Sequence, residues 1–459
     1  MTTPPPDSTH SARTAAPGCP MHAAGGGGVR QLYGAEAESQ PYALYEQLRA
    51  EHGTVAPVLL YGDVPAWLVL GHRENLDVMR SRLFSSDSRH WHAMRDGTLP
   101  PDSPLLPITA WQPLVALTDG AEHARLRRAV TESFGRVNRH RMRRSLSRYA
   151  TRLVDEFVGR GQADLVADFA RKLPALVMAQ QLGIREADAL PVGRAVADML
   201  SGTEAALAGN QLVTDIVREL VERKRLEPGD DLTSWLLVHP SGLTDEEVGE
   251  HLRLVLVGSL EPTSNLIANT LRMVLTDERF RGNLSGGQMT LPDALEQVLW
   301  DHPPLAVVPT RWATANTTIG STPIRAGDMV MLGIAAGNVD PGIRPDGRPM
   351  HGNRSHLAFG AGAHECPGQD LGRAIADTGI ELLMERIPDI RLAIVDAELQ
   401  VVGSWMSRRL TGLPVVFTPQ RQTARPVAAP VQRAEEPFLP APEAEPAAER
   451  PRARWWRRG

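Results

Sequence analysis

A mainly α-helical domain with a smaller β region is the fold class this sequence predicts, on three observations. Between about residues 120 and 275 apolar residues recur at helical spacing, as in Arg141–Val158 and Asn210–Glu227. Short runs of strand character cluster towards the ends: Val55–Leu60, Ala66–Leu70, Met329–Ile334 and Leu413–Thr418. No repeat of about 20–50 residues is evident, which argues against a solenoid.

The elements follow in chain order. Residues 1–28 are rich in Pro, Gly, Ser and Thr and end in four glycines, so a disordered leader is expected. The folded domain spans 29–419, opening with an amphipathic helix around Tyr42–Leu48. Two strands come next, separated by the turn Tyr61-Gly-Asp-Val64. Residues 301–365 are punctuated by Pro and Gly, and a last helix is expected over Gln369–Ile387. The 420–459 segment holds five Glu among Pro and Ala, then five Arg around Trp455-Trp456; it cannot bury enough apolar surface to order itself.

Bulk composition removes several function classes. With 42% hydrophobic residues, 22% charged residues and a net charge of −5, the chain reads as a soluble globular protein and gives no support for nucleic-acid binding. No apolar run approaches the ~18 residues needed to span a bilayer, and the N-terminus lacks the pattern of a secretory signal. Of the two cysteines, Cys19 lies in the leader, so a native disulfide is not expected and a reducing cytoplasm fits.

The chemistry is concentrated in His356-Leu-Ala-Phe359-Gly360-Ala-Gly362-Ala-His364-Glu-Cys366-Pro-Gly368. A thiolate ligand must be held deprotonated, and amide donors, a helix N-terminus or a metal lower a thiol pKa. Cys366 stands just ahead of the helix expected from Gln369, beside free amides and the positive end of the helix dipole. The three glycines permit tight turns and close backbone approach, and Phe359 is suited to shielding the sulfur from water.

The pattern Phe359-Gly360-x-Gly362-x-His364-x-Cys366-x-Gly368 resembles the haem-binding loop of the cytochrome P450 superfamily, and the resemblance extends over roughly residues 35–418. It implies the P450 fold, a triangular helical prism around a buried haem b, with Cys366 as the iron ligand and Phe359 beside it. By the same resemblance His123 and Arg127, four apart on one helical face, hold haem propionates together with Arg311 and His364.

Two stretches depart from the family pattern. The central helix Leu252–Ala268 resembles the oxygen-binding helix, with Glu261 at the acid position, but Pro262 stands where a hydroxyl residue is usual. Three readings follow: Thr263 or a substrate hydroxyl takes over the proton relay, oxygen activation is poor, or the proline only fixes a kink. The second departure is Glu296-Gln297-Val-Leu-Trp300 before His302-Pro303-Pro304. It places Gln297 and Trp300 at the positions of the family's buried Glu–Arg pair, an atypical Glu-Gln-x-x-Trp variant. Losing both charges together is physically coherent, and the Trp300 indole is expected to donate to the Gln297 carbonyl.

The resemblance implies a haem-thiolate monooxygenase. It would oxidise a small apolar or natural-product-like substrate with O2 and two electrons from NAD(P)H, delivered through a ferredoxin and its reductase. Glu261 and Thr263 are the candidate catalytic residues. Pro262 and the tail motivate an alternative: a low-turnover haem-binding sensor or scaffold in a membrane-associated signalling complex. By family position the loop Arg89–Met94, Leu256–Pro262, Leu305–Thr310, Trp405 and Met406 line the substrate pocket, with His90 and His92 able to orient a polar group. The tail's Arg and Trp residues suit an anionic membrane surface or an acidic partner protein.

Overall fold

The computed structural model describes residues 29–199, 205–277, 290–345, 350 and 352–420. The expected leader and all but the first residue of the expected tail lie outside them. The described residues form a helical body joined to a sheet, each with its own apolar core.

The helical body is organised by the 32-residue helix Asp245–Thr276. Its start is fixed by a capping box, in which Thr244 and Glu247 satisfy each other's backbone amides. Asp245, Glu246 and Glu247 also place negative charge at the positive end of the dipole. Leu252, Leu256, Leu260, Ile267 and Leu271 recur at helical spacing and are buried. Around them pack the helices Lys172–Leu182, Ala205–Leu226, Leu291–Asp301 and Gln369–Arg386. Lys172–Leu182 is apolar on nearly every side, as a helix enclosed by others must be. Among the described residues, no helix is long and apolar enough to cross a membrane.

The six-stranded sheet has the order Arg30–Gln31, Val55–Leu60, Val64–Val69, Met329–Gly333, Val307–Ala313, Phe84–Ser85. Val55–Leu60 and Val64–Val69 form the expected hairpin, with Asp63 at φ 54° closing its turn. Val64–Val69 then pairs in parallel with Met329–Gly333. The strand Val307–Ala313 falls in the stretch 301–365, expected to be largely irregular from its Pro and Gly content, and it contains Pro309. The structure places that proline in a bulge: Val308 pairs with Leu332 and Arg311 with Val330, so one residue is extra. The bulge puts Arg311 on the same face as Val308, whereas simple alternation would separate them.

Candidate active site

The ligand loop is built from two short turns, Leu357–Phe359 and Gly362–His364, leading into the helix Gln369–Arg386. His356 begins it, its Nδ1 accepting from the Ala358 amide at 3.2 Å. The Cys366 amide donates to the Phe359 carbonyl at 2.8 Å, closing the loop on itself. Gly362 has φ 73°, and a Cβ there would lie 2.9 Å from the Met79 carbonyl oxygen, so only glycine fits.

Burial pushes the Cys366 thiol upward; the Gly368 amide and the charges of Arg127 and Arg373 act against this without reversing it. The amide donor expected from the sequence is present, and burial opposes it. A bound metal would hold the sulfur ionised against that burial. Among the described residues no group of three or more His, Cys, Asp or Glu side chains could hold a metal ion. A metal at Cys366 would therefore bring its other ligands with it, as haem iron does.

Beside the loop, cationic groups converge with too few anions. His123, on the helix Gly120–Gly135, lies against His364 with ring centroids 4.3 Å apart. Burial first, then the charges of His364 and Arg127, push His123 down to about 4, and its Nε2 is buried without a partner. Arg311 is only 5% exposed and is pushed down to about 10 by burial. Its guanidinium donates to the Thr310 carbonyl at 2.6 Å, and no ion pair is found for it among the described residues. The carboxylate near this cluster is Asp119, which takes the Ser86 amide at 2.7 Å and His364 Nε2 at 3.2 Å. Burial raises the Asp119 carboxyl, but these hydrogen bonds outweigh it and hold the group well below the usual range.

Unpartnered buried donors are costly unless a ligand completes them. His123 and Arg311 fit the two propionates of haem on that ground, and the half-buried Arg127 adds a charge felt at both His123 and Cys366. His364 is less free than expected: with Nε2 on Asp119, a second hydrogen bond from Nδ1 requires the imidazolium form.

On the other side the central helix continues through Pro262. A Cβ built at Gly258 meets no atom within 4 Å, so this mid-helix face borders open space. The two catalytic candidates are not brought together. Glu261 pairs with Arg409 of the strand Arg408–Leu410 at 3.4 Å. Thr263 faces the helix Gln369–Arg386, its hydroxyl 3.8 Å from a Cβ built on Gly372. Two residues apart on a helix means about 200° of rotation, so the pair cannot form one proton relay.

The expected pocket loop also behaves differently. Trp91 is fully buried against Trp312, His90 is exposed, and His92 Nδ1 lies 2.6 Å from the Gly327 carbonyl. His92 is thus engaged by the backbone, whereas His90 stands exposed on the surface.

The Gln297–Trp300 hydrogen bond does not form. Trp300 donates instead to the Asn353 carbonyl at 2.7 Å and stacks on His72. Gln297 accepts from the Met350 amide at 3.0 Å and donates to Asp301 at 2.6 Å. Charge remains on this helix one residue earlier, at Glu296, which meets His356 and Arg373. Sequence reasoning missed that cluster because its partners lie 60 and 77 residues away. The signal was an acid immediately before the neutral position.

No family model matches the chain. It is 31% identical over 379 residues to the 2-hydroxy-5-methyl-1-naphthoate 7-hydroxylase of Streptomyces carzinostaticus, covering 80% of this chain and 92% of that protein. It is 30% identical to cytochrome P450-SU2 of Streptomyces griseolus, covering 90% and 98%. Among solved structures, the testosterone-bound CYP154C4 from a Streptomyces species matches with TM-score 0.77 at 26% identity, covering 82% of this chain and 96% of that one.

Proposed function

The chain belongs to the cytochrome P450 superfamily, as a monooxygenase carrying haem b, and on that premise we propose that it oxidises a small apolar or natural-product-like molecule. The observation that carries the site assignment is a half-buried thiol, Cys366, beside donors that lack anionic partners. Haem bound there supplies the redox chemistry that activates O2 and inserts oxygen. Cys366 is the proposed iron ligand, with His123, Arg127, Arg311 and His364 on the propionates and the Phe359 carbonyl fixing the ligand's backbone. Electrons from NAD(P)H arrive through a ferredoxin in the cytoplasm.

The substrate class rests on relatives named for the hydroxylation of a naphthoate and for the hydroxylation or epoxidation of mycinamicin IV. Open space at Gly258 and the flanking Leu256 and Val257 suit an apolar body. Glu261 is the proposed proton carrier, delivering protons after its carboxylate parts from Arg409. With Thr263 on another face, Glu261 acts without it.

The reduced protein with CO should show the red-shifted Soret band of thiolate ligation, and Cys366→Ala should lose it. Persistence of the band in that variant overturns the assignment. With a surrogate ferredoxin system and a substrate that perturbs the haem spectrum, Glu261→Gln should lower product formed per NADPH by about ten-fold or more. Unchanged coupling rejects Glu261 as the carrier.

A further inference from the structure

The helix Leu291–Asp301 carries a buried ionic cluster that the family comparison does not predict. Glu296 and His356 are 4% and 7% exposed. Arg373 Nε donates to Glu296 Oε1 at 2.8 Å, and Arg373 Nη2 reaches Oε2 at 3.4 Å. His356 Nδ1 accepts from the Ala358 amide, so the ring proton sits on Nε2, which donates to Glu296 Oε2 at 2.9 Å. Arg354 stands 3.6 Å from the same carboxylate. These hydrogen bonds outweigh burial and take the Glu296 carboxyl down to about 2.

Each partner bears on the ligand loop. His356 caps the turn Leu357–Phe359. Arg373, on the helix that follows Cys366, lays its guanidinium 4.4 Å from the Phe359 ring centroid. The Phe359 carbonyl in turn receives the Cys366 amide. Glu296 therefore grips both ends of the loop, the capped entry through His356 and the exit helix through Arg373. Gln297 and Trp300 tie the same helix to the backbone at Met350 and Asn353, ahead of the loop, and carry no charge.

We propose that Glu296 is a positioning residue for the haem ligand, holding His356 and Arg373 so that Phe359 and Cys366 keep the geometry needed for thiolate ligation. This rests on Cys366 being the iron ligand. Removing outer-shell partners of a metal ligand commonly weakens metal binding by about 10–100-fold, which sets the scale of the expected loss.

The test compares full-length wild type, Glu296→Gln and the double variant Glu296→Leu with Arg373→Met. Readouts are haem affinity, the Soret position of the reduced CO complex and the reduction potential, with thermal stability measured alongside. Glu296→Gln should bind haem about 10–100-fold more weakly, shift part of the CO complex away from the thiolate band and move the potential. The double variant leaves no unpaired buried charge and should recover thermal stability. It should not recover the thiolate band, because Phe359 has lost its covering cation. An unchanged band and potential in Glu296→Gln, or full recovery of both in the double variant, reduces Glu296 to a structural ion pair and overturns the proposal. A wild-type CO complex without the thiolate band would instead remove the ligand assignment beneath it.

Discussion

At the residue scale, the site combines one half-buried thiol with cations placed in advance of their anions. Arg311 exemplifies the cost: a guanidinium 5% exposed, with a backbone carbonyl as its hydrogen-bond acceptor. Two opposite effects should therefore separate in Arg311→Met. The haem-free protein should become more stable in urea unfolding, since an unpaired buried charge is removed. Haem binding should weaken by about 1.5–3 kcal/mol, the usual worth of a hydrogen bond to a charged group, measured by transfer to a competing apo-globin. Haem binding that is not weakened would mean that Arg311 does not meet a propionate. Local spacing is what singled out Cys366, His123 and Arg127 in the sequence. The engagement of His364 by Asp119 was not legible there, because that contact joins residues 245 apart.

At the scale of elements, the helix Leu291–Asp301 shows where pattern reading stops. Spacing correctly put Gln297 and Trp300 on a common face, but being neighbours did not make them partners. Each is bound to a separate backbone group near residues 350–353. A double-mutant cycle of Gln297→Ala and Trp300→Phe, read by urea unfolding, should give a coupling below about 0.5 kcal/mol. A coupling above about 1 kcal/mol would restore the direct pair. The strand Val307–Ala313 carries a similar lesson. Its extra residue sets Arg311 and Trp312 on faces opposite to those that alternation assigns, and nothing in the sequence announces that count. The central helix, Asp245–Thr276, extends past the stretch Leu252–Ala268 read from the sequence at both ends, and Glu261 could not be matched to Arg409, 148 residues on.

At the scale of the whole molecule, proton linkage follows from the buried groups. Glu296 has its carboxyl lowered from 4.5 to about 2, so its stabilisation is fully present above pH 4.5 and lost as pH falls towards 2. Asp119 is lowered too and acts in the same direction. His123 is a base pushed from 6.5 down to about 4, so the haem-free fold also weakens as pH drops from 6.5 towards 4. Haem propionates favour the charged imidazole and should remove the His123 share of that dependence. Acid unfolding followed by far-UV circular dichroism should show a slope between pH 6.5 and 4.5 in the haem-free protein. That slope should be shallower in the holoprotein and in haem-free His123→Asn, with the remainder coming from His251, His302 and His364, which burial also pushes down; an unchanged slope in haem-free His123→Asn would clear His123 of the effect.

The parallel pairing of Val64–Val69 with Met329–Gly333 has a consequence in time. The two strands lie 260 residues apart, counted from Val69 to Met329. At ~5–20 residues per second, a ribosome needs on the order of 13–50 s to deliver the second after the first. Throughout that interval the hairpin Val55–Val69 waits with one apolar edge unfilled. Nascent chains halted before Val307 should therefore enter aggregates or recruit chaperones, and chains released beyond Gly333 should not.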